Sequence, residues 1–154
     1  NKGIALRKLG RNEEAIAAYD QALAIKPDDH EALYNKGNAL CSLGRYEEAI
    51  AAYDQALAIK PDKHEALYNK GIALRKLGRN EEVIAAYDQA LAIKPDKHKA
   101  LYNKGAALVK LGRYKEALKF LRQADELDGT NSILKRLRQT LTSIISASIH
   151  RFRL

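Results

Sequence analysis

Methionine and tryptophan are absent from the 154 residues, phenylalanine occurs twice, and a single cysteine stands at Cys41. One thiol excludes an internal disulfide framework and suits a reducing, cytoplasmic compartment. Cys41 itself reads as a small residue at a variable site, the rival reading being a modifiable thiol. No run of 18 apolar residues occurs, so no membrane span is expected. The opening residues lack the order of a secretory leader. A chain that begins within a repeat and contains no methionine reads as an excerpt of a longer protein. Catalytic sets are missing too: there is no Gly-rich phosphate loop, and no Cys–His or Ser–His–Asp group stands out. His30, His64 and His98 recur one repeat apart, too far for shared zinc ligation. Neither an enzyme activity, a metal nor a cofactor is therefore expected.

The net charge of +8 suggests nucleic acid at first sight. Residues 132–154, however, hold five basic residues (Lys135, Arg136, Arg138, Arg151, Arg153) and no acidic one. That leaves 22 basic against 19 acidic residues in 1–131, a net of +3. So balanced an array is not the continuous cationic stripe that phosphate neutralisation needs, and nucleic acid is not the expected partner.

What the chain does have is a period. His30–Lys63 recurs as His64–Lys97 with 5 of 34 positions changed. Residues 1–29 form a truncated first copy, residues 98–131 a diverged fourth, and residues 132–154 a C-terminal helix and tail. A strict period of 34 marks a solenoid, whose units bury their apolar faces against neighbours. Each unit reads as two helices. Asp62, with Glu65 three residues on, reads as an Asp version of the capping box. Gly10, Gly44, Gly78 and Gly112 supply left-handed residues past helix ends. Glu47-Glu48 and Glu81-Glu82 open second helices at the positive end of the dipole, and Lys60 and Lys94 close them. Helices of about 14 residues are marginal alone, so stacking must hold them.

Leu33, Gly37, Leu40, Gly44, Tyr46, Ala49, Tyr53, Ala56 and Pro61, at these offsets and repeated, resemble the tetratricopeptide repeat family over residues 1–131. The resemblance implies an all-α, right-handed superhelical solenoid of antiparallel helix pairs. Gly37, Ala49 and Ala56 let paired helices approach; Leu33, Leu40 and Tyr53 fill the gaps. Two departures stand out. Leu33 replaces the family's common Trp. Lys36, Lys70 and Lys104 replace its Leu inside an apolar arc, and are expected to bury their stems while the ammonium reaches water. In residues 132–152 the apolar spacing of Ile133, Leu134, Leu137, Leu141, Ile144, Ile145 and Ile149 predicts a helix, which Asn131 or Ser132 can cap. Lacking the repeat's two glycines, it reads as a polar-faced end cap and not as half of a fifth unit. The competing reading is a membrane-surface helix.

The resemblance also implies that first helices line a concave groove open to extended peptides. Glu31, Asn35, Asn38 and Ser42 share the groove arc at helical spacing, with Tyr34 and Cys41 beside them. Three of the five differences between the second and third copies fall there: Asn38/Ile72, Cys41/Arg75 and Ser42/Lys76. Asn1, Asn35, Asn69 and Asn103 form a ladder of carboxamides, able to bond successive peptide groups. Such ladders resemble those of O-linked N-acetylglucosamine transferase and of carboxylate-clamp co-chaperones. Asn38, Asn69 and Lys99 match three of the clamp's five places, but Tyr34 and Asn103 replace its second Lys and its Arg, so a true clamp is not expected. Arg7, Lys8, Arg75, Lys76, Lys99 and Lys110 outnumber Glu31 and Glu65, which favours an acidic ligand. Tyr34, Tyr68 and Tyr102 add flat contact with a polar tip, or else pack between first helices. The expected function is protein–protein recognition through Tyr34, Asn35, Asn38, Tyr68, Asn69, Arg75, Lys76, Lys99, Tyr102, Asn103 and Lys110. The rival readings are a self-assembling structural segment, joined through the terminal repeat or through Ile149 and Phe152, and a substrate-docking arm of a larger enzyme.

Overall fold

The computed structural model describes residues 2–129 and 132–151. Asn1 of the asparagine ladder, Asn131, Phe152 and Arg153 lie outside the described residues, as do the side chains of Ser132, Ile133, Leu134, Arg136, Leu137, Ile149 and Arg151. The described chain is helical: α1 (Lys2–Lys8), α2 (Asn12–Ile25), α3 (His30–Ser42), α4 (Tyr46–Ile59), α5 (His64–Lys76), α6 (Asn80–Ile93), α7 (His98–Lys110), α8 (Tyr114–Asp128) and α9 (Ser132–Arg151). Contacts divide it into two compact units, residues 1–79 and 80–154. Among the described residues no helix is long and apolar enough to cross a membrane.

The turn between paired helices follows from glycine. After α3, Gly44 takes φ 74°. Arg45 then donates its N–H to the carbonyl of Leu40 at 2.9 Å, and Gly44 to that of Cys41 at 3.0 Å. These crossed bonds satisfy carbonyls the helix would leave open, and the left-handed conformation they need suits a residue without Cβ. Gly10, Gly78 and Gly112 adopt the same conformation after α1, α5 and α7.

Helix starts depart from the expectation. Asp29 caps α3, accepting from the backbone N–H groups of Glu31 and Ala32 at 3.1 Å each. At α5 the capping position is held by Lys63, which makes no side-chain cap bond. Asp62 lies one residue too early, so the expected capping box is absent there. What α5 gains instead is Glu65 in its first turn, a charge that suits the helix dipole.

In the first unit α3 packs on α4, α2 on α3 and α4 on α5. Its core runs through Leu6, Tyr19, Leu40, Ala49 and Tyr53. Gly37 explains the close approach: a Cβ there would meet the Tyr53 ring at 2.5 Å. In the second unit α7 packs on α8 and α8 on α9, and Leu101, Leu121, Ala124 and Leu141 share one cluster. Leu141, on α9, is buried, so the last helix closes over α8.

Candidate functional site

In the first unit the first-helix face is built on a phenol from the second helix. Tyr53 of α4 lies over Gly37, and its buried hydroxyl ends against Asn38 and Cys41 of α3. It stands 2.8 Å from Asn38 Oδ1 and 3.5 Å from Cys41 Sγ. A phenol has one proton, and the shorter bond to the better acceptor makes Asn38 its partner. Asn38 Oδ1 also accepts from Nδ2 of Asn69 on α5 at 2.8 Å, and the same nitrogen lies 3.2 Å from the Tyr34 hydroxyl. Three helices are thus joined by one network. Burial pushes the Tyr53 phenol far above its ordinary value, and burial raises the Cys41 thiol as well. Both stay neutral, so Cys41 lacks the thiolate that a reactive cysteine requires.

These bonds place the expected site residues unequally. Tyr34, Asn38 and Asn69 meet in the network. The Tyr34 ring also packs at 6.1 Å from that of Tyr53 and lies under Lys63 Nζ at 4.7 Å, which is packing between neighbouring helices. Asn35 is buried and donates to the carbonyl of Glu31 on its own helix at 2.9 Å. That bond takes one of the two protons of its amide nitrogen. Tyr68 is half-buried, while Arg75 and Lys76 stand exposed in the last turn of α5. On α7 of the second unit, Lys99 and Lys110 are exposed and Tyr102 and Asn103 half-buried. Sequence reasoning missed Lys63, which is buried and bonds Glu31 at 2.6 Å. One of the two acidic groups counted against the cationic bias is therefore neutralised locally.

Lys36, Lys70 and Lys104 bury their stems, but their ammonium groups do not simply reach water. Lys36 lies 2.6 Å from Asp20, Lys70 lies 2.6 Å from Asp54, and Lys104 pairs with Asp88. Each aspartate stands at the same offset from its lysine, on the preceding second helix. That recurring Asp was the available signal. The carboxylates are about half exposed, so solvent screens the pairs and each adds little to stability. Lys104 Nζ also sits 3.5 Å from the centre of the Phe120 ring, a cation–π contact that the smaller Ala52 and Ala86 cannot offer at the matching positions.

The histidines stay apart. His30 and His64 lie 3.5 Å and 3.3 Å from the glutamates that follow them, and His98 lies 3.8 Å from Asp128. Among the described residues no cluster of three His, Cys, Asp or Glu side chains suits a metal ion.

The profile of the tetratricopeptide repeat family matches residues 1–64, 42–98 and 68–132. A comparison of the sequence with curated proteins finds no match. Solved structures share the fold. MamA from Desulfovibrio magneticus superposes with a TM-score of 0.82 at 23% identity, over 99% of this chain and 92% of that one. The first repeat domain of Spaghetti (RPAP3), bound to the HSP90 peptide SRMEEVD, gives 0.72 at 24% identity, over 76% and 93%. The Arabidopsis OM64 domain gives 0.69 at 26% identity, over 73% and 93%.

Proposed function

The chain belongs to the tetratricopeptide repeat family, and from that premise we propose that it binds an extended acidic peptide on its first-helix faces. Arrays of this family are protein–protein interaction modules. The observation that carries the finer reading is the pair Arg75 and Lys76, exposed at the end of α5, the helix that also carries Asn69. Lys99 and Lys110 stand exposed on α7 of the second unit. Cations so placed attract an acidic segment, mostly through association rate, and the attraction fades with salt.

The proposed contact set keeps Tyr34, Asn38, Tyr68, Asn69, Arg75 and Lys76 in the first unit and Lys99, Tyr102, Asn103 and Lys110 in the second, with Asn35 behind them. The weight within it shifts from carboxamides to cations. Asn69 spends Nδ2 on Asn38 and Tyr34, so removing it disturbs packing as well as any ligand. Exposed charges have no such second duty. The neighbour bound to SRMEEVD offers a probe whose chemistry fits, since that peptide is acidic.

Fluorescence anisotropy with SRMEEVD and with a peptide pool sorted by net charge tests the reading. Acidic peptides should bind more tightly than neutral ones of equal length. Arg75→Glu with Lys76→Glu should weaken them about tenfold or more, at roughly 1–2 kcal/mol for the lost charge-assisted bonds, with melting unchanged. Equal binding of acidic and neutral peptides, or no response to the reversal, would refute it.

A further inference from the structure

The Asp–Lys pairs continue one step further in sequence, and there the chemistry changes. One full repeat on from Asp88 stands Arg122, and one full repeat on from Lys104 stands Arg138. The register is structural as well as numerical. Ser132, the first residue of α9, follows His98, the first of α7, by the same interval, and α9 packs on α8 as α7 packs on α6. Although it lacks the two glycines, α9 occupies the place of a first helix. Where three junctions set a carboxylate against an ammonium, the fourth sets guanidinium against guanidinium.

Both arginines line one open cleft of about 480 Å³ between α8 and α9, together with Gln139, Thr142 and Ser143. Among the described residues neither guanidinium has a hydrogen-bonded or ion-paired carboxylate. Arg11, Arg45 and Arg113, by contrast, each hold a glutamate three residues on. Asp125, one turn beyond Arg122, does not fill the role: its Oδ1 is buried without a partner. Thr142 and Ser143 donate their hydroxyl protons to the carbonyls of Arg138 and Gln139, at 2.9 Å and 3.0 Å. Among the described residues, the donors left to the cleft lining are therefore the two guanidinium forks and the Gln139 amide.

We propose that Arg122 and Arg138 form a binding site for a phosphate group, which takes the place held by Asp at the other junctions. Two like charges at one cleft repel unless an anion lies between them. A carboxylate neutralises one of them, whereas a phosphate carries close to two negative charges at pH 7 and accepts from both planar forks. The site lies on the α8–α9 junction, apart from the first-helix residues proposed to bind peptide, and stands or falls independently of them.

Thermal melting at constant ionic strength, with inorganic phosphate, O-phosphoserine or acetate added, tests the site. Phosphate should raise the melting temperature of the wild type in a saturable way, and acetate should not. Arg138→Gln should weaken the apparent affinity about tenfold or more. Arg122→Asp should melt higher than wild type without phosphate, because it restores the opposite-charge pair, and should lose the phosphate increment. Lys60→Gln, an exposed cation outside both proposed sites, should keep it. A larger increment from O-phosphoserine assigns the site to a phosphate ester, and an equal one to the free ion. Should Arg122→Asp fail to fold, Arg122→Gln supplies the same loss of increment. An equal response to acetate, or an increment that survives both arginine substitutions, overturns the proposal.

Discussion

In the α3–α4 hairpin a tyrosine crosses from the second helix to the first; in the α7–α8 hairpin a leucine stands at the same place. Gly37 and Gly105 make room in the two cases, and a Cβ on either would come within 2.5 Å of Tyr53 or 2.7 Å of Leu121. The gap is alike, but its consequences are not. Tyr53 reaches through and delivers a hydroxyl to Asn38 and Cys41. Leu121 stops short, and the first-helix positions matching Asn38 and Cys41 are Ala106 and Val109. In the α3–α4 hairpin the polar network on the first helix is thus completed by what the second helix sends across. Tyr19 and Tyr87 hold the same register with Ile4 and Arg7, or Ile72 and Arg75, at the matching first-helix positions, so the face also varies over an unchanged tyrosine.

Truncation separates the two hairpins most widely. Tyr53→Ala should cost about 4 kcal/mol and Leu121→Ala about 3 kcal/mol in urea unfolding, the usual range for large-to-small changes at buried sites. Equal, small losses would mean that neither residue closes its hairpin. A narrower probe is the glycine. Gly37→Ala should cost about 2 kcal/mol by overpacking, and that cost should vanish when Tyr53 is already alanine, because the two share one contact. Additive losses would place the strain elsewhere. The smallest effect isolates the hydroxyl. Tyr53→Phe should cost about 1 kcal/mol, the usual net worth of one hydrogen bond, and should leave the Gly37→Ala penalty in place. No change at all would show that Asn38 is satisfied by Asn69 alone.

The repeat, the helix pairs, the glycine turns and the small residues at close approaches were legible in the sequence, because each rests on local backbone need or on simple periodicity. Tyr53 against Gly37 was legible as packing. Its hydroxyl's destination was not, since periodicity says that a side chain recurs and not which way its polar end turns. The asparagines show this most plainly: Asn35 bonds within its own helix and Asn69 bonds across to the next. The lysines at 36, 70 and 104 were visible as oddities on an apolar arc. Their aspartates, on the preceding helix and across a turn, belong to no single helical face and escape a reading made helix by helix. Asp62 was misplaced as a cap by one residue, within the uncertainty of any helix end read from sequence.

That first-helix faces grip an acidic chain is tested most directly by amide chemical-shift mapping. Titration with SRMEEVD should move resonances around Asn38, Asn69, Arg75 and Lys76, leaving those around Gln55 and Ile59 on the second helix in place. Shifts concentrated on second-helix residues, with the α3 and α5 signals unmoved, would contradict it.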